Sequence, residues 1–200
     1  MITQKDLNIA KVNWKDWISV FEHEGTLEKN PLLTFPGVFN KFLGEYSVSR
    51  TIRAGTSDDF RKALSSVDLG LAGKLSDSSG KGIDELEELL RWDFGTRDGE
   101  RGMRSAISKI AAFLVPANFI AWDKFARKGT IRVRGRRLTH TYETYAEYLS
   151  DVNFLLNGEM KDALISACQG NYPTQYSSEN NRFQRRVLDV YLMRIGDRWQ

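Results

Sequence analysis

Two hundred residues, 41% of them hydrophobic, are enough for one domain with a sizeable core, and the chain is read as a single unit over 1–200. No run approaches the roughly 18 apolar residues that span a bilayer, and the opening MITQKDLNIAKVNWKDW lacks the apolar centre of a signal peptide, so a cytoplasmic protein without a membrane partner is expected. One cysteine (Cys168) excludes an intramolecular disulfide and a multi-cysteine cluster, two distant histidines (His23, His140) argue against a histidine metal centre, and the net charge of +3 conceals an uneven distribution.

In chain order, the first segment places Trp14, Trp17, Ile18 and Phe21 at helical spacing, and Gly25 with Asn30-Pro31 ends it. Val38, Phe39, Phe42 and Leu43 share one side of a second helix. Thr56-Ser57-Asp58-Asp59 has the hydroxyls and acids of a helix start, leading through Phe60, Ala63, Leu64 and Val67. Gly70 to Gly82 reads as a loop. It lacks the GxxxxGK[ST] pattern of a phosphate-binding P-loop. Ile83 to Trp92 is a short amphipathic helix with Ile83, Leu86, Leu89 and Leu90 on one side.

Gly95 to Gly102 (GTRDGERG) is a glycine-rich turn directly before the most distinctive stretch, GMRSAISKIAAFLVPANFIAWD, residues 102–123. Such a turn lets backbone amides face an anion at the start of a helix. An apolar helix follows, then a proline-broken turn (Val115-Pro116-Ala117-Asn118), then Trp122 and Asp123. From Arg101 to Arg137 there are ten basic residues and one acid, Asp123. Residues 1–100 carry 13 Lys/Arg against 17 Asp/Glu, and residues 101–200 carry 16 against 9. That split points to a polyanionic partner for the second half, the plainer alternative being a solvated basic face.

Beyond Asp123, which also suits the N-cap of a helix starting at Lys124, Ile131, Val133 and Leu138 alternate with Arg132, Arg134 and Arg137 around Gly135. That pattern suits either a tiny β-hairpin near 131–138 or an irregular basic loop. Thr139 or Thr141 is the expected cap of a helix running to about Leu156. Residues 159–168 form another helix, and Arg182 to Ile195 the last. Asp189, flanked by Val187, Leu188 and Val190, is expected to pair with Arg185, Arg186 or Arg194. Helical periodicity recurs about eight times and strand signal is nearly absent. The expectation is an all-α domain, with room for two lobes and a cleft.

A glycine-opened helix, a proline-containing turn and an aspartate resemble the helix–hairpin–helix base-excision DNA glycosylases, the HhH-GPD superfamily. SKIAAFLVPANFIAWDKFAR and the closing RVLDVYLMRIG (186–196) are also similar to a less characterised group of glycosylase-like proteins. The likeness covers roughly 95–127 and 186–196. The family's LPGVG hairpin is replaced here by Gly99 and Gly102, and the iron–sulfur cluster of some members is excluded by the cysteine count.

The resemblance implies a monomeric, cofactor-free enzyme that acts on double-stranded DNA. It would flip out a modified or damaged base and cut its N-glycosidic bond, in repair or in defence against phages with modified DNA. Asp123 would be the catalytic carboxylate. Gly99, Arg101, Gly102, Arg104, Arg127, Lys128, Arg132, Arg134, Arg136 and Arg137 would hold the DNA, and Trp122 and Phe125 would border the base pocket. By spacing, the lysine that nicks the strand in some members falls near Arg104. An arginine stays protonated and cannot form a Schiff base, so a monofunctional enzyme is expected, with Lys109 the replacement in a shifted register.

The chemistry asks for such a set. Breaking the bond builds positive charge on the sugar, a fixed carboxylate stabilises it or orients water, and cations on the flanking phosphates supply affinity. Two other readings use the same basic belt: a non-catalytic DNA-binding protein, and a helical module that meets an acidic protein.

Overall fold

The computed structural model describes residues 4–13, 30–47, 49–66, 68–95, 103–169 and 180–197. The expected helical run of Trp14, Trp17, Ile18 and Phe21 lies outside these residues. The architecture is all-α, with eleven α-helices and no strand among the described residues, and a single isolated bridge between Ile52 and Gly95. The helices are α1 (Gln4–Asn13), α2 (Pro31–Thr34), α3 (Pro36–Glu45), α4 (Ser57–Ser65), α5 (Leu71–Ser76), α6 (Lys81–Phe94), α7 (Arg104–Leu114), α8 (Lys124–Val133), α9 (Tyr145–Phe154), α10 (Lys161–Cys168) and α11 (Asn180–Asp197). A π-turn, Leu155–Glu159, carries α9 into α10, so the chain passes Asn157-Gly158 without leaving helical geometry.

One continuous apolar core runs through the described residues, from Leu7 in α1 to Leu192 in α11. Phe42, Phe113 and Tyr46 meet there in edge and stacked pairs, and Phe39 and Phe60 close its far side. α7 lies deep within it. Ala106, Ile107, Ser108 and the whole run Ile110 to Leu114 are buried, which suits a helix apolar on nearly every side.

Three local expectations are corrected. Residues 131–138 form no hairpin: Ile131 to Val133 are the last turn of α8, and Arg134–Gly135 close it, with the Gly135 and Arg136 amides donating to the Arg132 and Ile131 carbonyls. Within α8 the buried Ala126, Gly129, Thr130 and half-buried Val133 recur at helical spacing, and that longer period overrides the short alternation. Leu71–Ser76, expected in a loop, is a helix whose Leu71 and Leu75 reach the core one turn apart. The cap of α9 is Thr144, whose Oγ1 accepts from the Glu147 amide, and Asp84 of α6 accepts from the Tyr145 and Ala146 amides.

The tightest helix contact is between α8 and α11. A Cβ on Gly129 would meet the Leu192 carbonyl, and one on Gly196 would meet the Phe125 carbonyl. The two backbones touch there because neither glycine carries a side chain. Further up α11, Arg185 Nε donates to the Ala117 carbonyl at 3.1 Å. Asp189 lies between Arg185 and Leu192 along α11 and is buried.

Asp151 of α9 fastens the turn after α8. It receives Arg136 Nε at 2.6 Å, Arg134 Nε at 3.2 Å and the Tyr142 hydroxyl at 2.9 Å, and is itself 5% exposed. Burial works to raise the carboxyl's pKa, but the hydrogen bonds from Arg136, Tyr142 and Arg134 outweigh it and hold it below the usual carboxylate range. The native state therefore binds this proton more weakly than the unfolded chain. Its stabilisation is present above the unfolded carboxylate pKa and is lost as pH falls through the folded value. Asp151→Asn is expected to lower stability by about 1–3 kcal/mol at pH 7. Urea denaturation at stepped pH checks this, the gap from wild type narrowing below about pH 4.

Candidate functional site

The segment between α7 and α8 is extended, and buried side chains pin it at successive residues. The Tyr145 hydroxyl donates to the Ile120 carbonyl at 2.6 Å and accepts from the Ile120 amide at 3.1 Å. The Tyr148 hydroxyl reaches the Ala121 carbonyl at 3.4 Å, and Ser108 Oγ accepts from the Trp122 amide at 2.9 Å. Tyr145, Tyr148 and Ser108 are fully buried. Burial pushes both phenols well above their ordinary pKa, so they stay neutral donors.

This pinned segment delivers Asp123 as the N-cap of α8. Its Oδ1 accepts from the Phe125 amide at 2.7 Å and the Ala126 amide at 3.2 Å, the geometry expected of a capping aspartate. Asp123 is half-buried, neither open to solvent on all sides nor sealed in the core. Lys109 of α7, also half-buried, donates from Nζ to the Tyr46 carbonyl at 2.7 Å. Burial pulls the Lys109 ammonium below its usual pKa, while the negative charges of Asp123 and Asp189 work to raise it.

The expected pairing of Asp189 is corrected. It makes no ion pair among the described residues, and its buried Oδ1 has no hydrogen-bond partner. Two of the expected arginines on its own helix, Arg185 and Arg186, make other bonds, and Arg194 Nε is buried without a hydrogen-bond partner. Arg185 binds the Ala117 carbonyl and Asn153, and Arg186 donates to the Ala112 carbonyl at 3.0 Å.

The basic belt divides. Gly99, Arg101 and Gly102 lie outside the described residues. Arg104 Nε sits 2.7 Å from Glu87 and 3.3 Å from Asp84, and its Nη1 donates to the Glu143 carbonyl. Arg134 and Arg136 are the partners of Asp151, and Arg134 also meets Glu159 and lies 3.6 Å from the Phe154 ring centre. These three cations are therefore engaged within the chain. Arg132 is half-buried. Lys128 and Arg137 are exposed and have no acidic partner among the described residues.

Of the two aromatics assigned to a base pocket, Trp122 carries the guanidinium of Arg127 at 4.2 Å and that of Arg104 at 4.9 Å, and meets Tyr148 edge-on. A base stacking on that ring would have to displace a cation. Phe125 is half-buried with Lys124 6.0 Å from its ring. Among the described residues no group of histidine, cysteine and acidic side chains could hold a metal ion, and no helix is long and apolar enough to cross a membrane. Sequence reasoning missed the tyrosines that pin the segment before Asp123. The signal for them was available in the Tyr142, Tyr145, Tyr148 spacing, which sets Tyr145 and Tyr148 on one helical face.

No protein-family model, curated protein or solved structure matches the chain.

Proposed function

We propose that the protein is a DNA glycosylase, which flips a modified or damaged base out of double-stranded DNA and hydrolyses its N-glycosidic bond. One observation carries this reading: Asp123, the lone acid of the basic stretch, is held rigid by two backbone amides at a half-buried helix start. A carboxylate fixed in that way can face a sugar turning cationic without reorganising as the base departs. The enzyme is monofunctional in this reading, works as a monomer without a cofactor, and serves repair or defence against modified phage DNA.

Incubation with base-modified duplexes, followed by hot alkali, tests the reading by cutting wherever an abasic site has formed. Cuts by the wild-type protein are the expected result, and intact strands for every modification would contradict it.

DNA would be held by the cations that the chain leaves free. Lys128→Gln combined with Arg137→Gln is expected to weaken binding on all sequences alike and to flatten the log–log salt dependence by about two units. Fluorescence anisotropy on duplexes at stepped salt measures this. Unchanged slopes would favour the other reading that an observation supports: Arg104, Arg134 and Arg136 are consumed by internal ion pairs, as they would be in a helical module that binds protein.

A further inference from the structure

Arg127 of α8 is a half-buried cation that the fold leaves without an anion among the described residues. Its guanidinium carbon lies 4.2 Å from the centre of the Trp122 ring, and its Nε is buried without a hydrogen-bond partner. Burial pulls the guanidinium below its ordinary pKa, yet an arginine stays protonated and keeps its charge. Asp123 stands one turn away on the same helix face. It forms no ion pair with Arg127, and its Oδ1 accepts from the Phe125 and Ala126 amides instead.

The ring beneath this cation is fixed in place. The Trp122 amide donates to Ser108 Oγ at 2.9 Å, and the indole meets Tyr148 edge-on with ring centres 5.5 Å apart. Arg104 approaches the same ring at 4.9 Å, but Glu87 and Asp84 take up its charge. A planar guanidinium already stacked on an indole gives up little freedom when its fork meets an anion. Lys124 neighbours Arg127 on the helix surface, and Lys128 stands one turn beyond Lys124. Both are exposed and have no acidic partner among the described residues. A single carboxylate would meet one of these cations, whereas a strand with a phosphate every ~3.4 Å of helix axis can meet all three.

We propose that Arg127, stacked on Trp122, is a phosphate clamp for a DNA strand, with Lys124 and Lys128 on the adjoining phosphates. The inference rests on the glycosylase reading only for its register. One helical turn, about 5.4 Å, separates Arg127 from Asp123 along α8, so the clamped phosphate is the one attached to the sugar that faces the carboxylate. Trp122 then serves the backbone of the DNA as the support of Arg127, and no base has to displace a cation from its ring.

The test reads Arg127 in the intact chain, by 15N NMR of the arginine Nε–H groups at low salt, with Arg127→Gln identifying the signal. Arg127→Lys gives the same assignment where the glutamine variant folds poorly. A short DNA duplex is expected to move the Arg127 resonance in step with binding followed by fluorescence anisotropy. Arg127→Gln is expected to weaken that binding about tenfold and to lower the log–log salt slope by about one unit. An Arg127 signal that stays in place under saturating duplex, no duplex binding at low salt, or a glutamine variant with wild-type affinity and slope overturns the clamp. A polyglutamate peptide that moves the signal where DNA does not also overturns it, and assigns the site to an acidic protein. Abasic-site formation is scored separately. Wild type that engages DNA through Arg127 and frees no base keeps the clamp and loses the glycosylase, and base release with an unmoved Arg127 signal does the reverse.

Discussion

Asp123→Asn is expected to reduce abasic-site formation by at least about 10²–10³-fold while DNA affinity stays within about twofold of wild type. The substitution is informative because it separates two roles of one side chain. Asparagine caps helices about as well as aspartate, so its carbonyl oxygen can still accept from the Phe125 and Ala126 amides. What disappears is the negative charge that the proposed mechanism sets against the reacting sugar. A purely structural Asp123 predicts unchanged turnover in Asp123→Asn and a loss of about 1 kcal/mol in Asp123→Ala. A catalytic one predicts that both are inactive and that only the alanine variant is also less stable. Single-turnover rates, denaturation midpoints and anisotropy on the same preparations separate these outcomes.

The second large effect is expected far from any charge. Gly129→Ala or Gly196→Ala places a methyl against the carbonyl of Leu192 or Phe125, where backbone has to move because no flexible side chain stands in the way. Each is expected to lower stability by about 1–3 kcal/mol or more. Each should also depress activity beyond that loss, because the same shift moves α11 against α8, whose N-cap is Asp123. Gly44→Ala is the control. It lies exposed within α3, with open space where its Cβ would stand, and should stabilise by roughly 0.4–1 kcal/mol. Urea denaturation of the three variants, followed by rates at a temperature where all are folded, reads both effects.

The capping role of Asp123 was legible because it depends on residues two and three positions along the chain. The helical character of α7 was legible for the same reason: Ile107, Ile110, Ala111 and Leu114 repeat at one helical face. The turn after α8 was misread because Ile131-Arg132-Val133-Arg134 alternates over too few residues to distinguish a strand from a helix end. Leu71–Ser76 escaped notice because two glycines adjoin two leucines, and only contact with the core makes that turn helical.

The belt shows a different limit. Its charges are countable in sequence, but the acids that occupy them are Asp84 and Glu87 from α6, Asp151 from α9 and Glu159 from the π-turn after it. Pairing at such separation is fixed by packing, and no local pattern announces it. Asp189 illustrates the converse. Its own helix offers Arg185 and Arg186 at pairing distance along the sequence, yet both are drawn to backbone carbonyls. The acid is left with its buried Oδ1 lacking a hydrogen-bond partner.

Release of free base is the most direct test of the central claim. Genomic DNAs with differing base modifications would be incubated with wild-type protein and with Asp123→Asn, and the filtrate analysed by mass spectrometry. The expected result is a modified or damaged base freed from at least one DNA by wild type and by none with the variant. Equal release by both proteins, or DNA that is bound but never relieved of a base, would contradict the account.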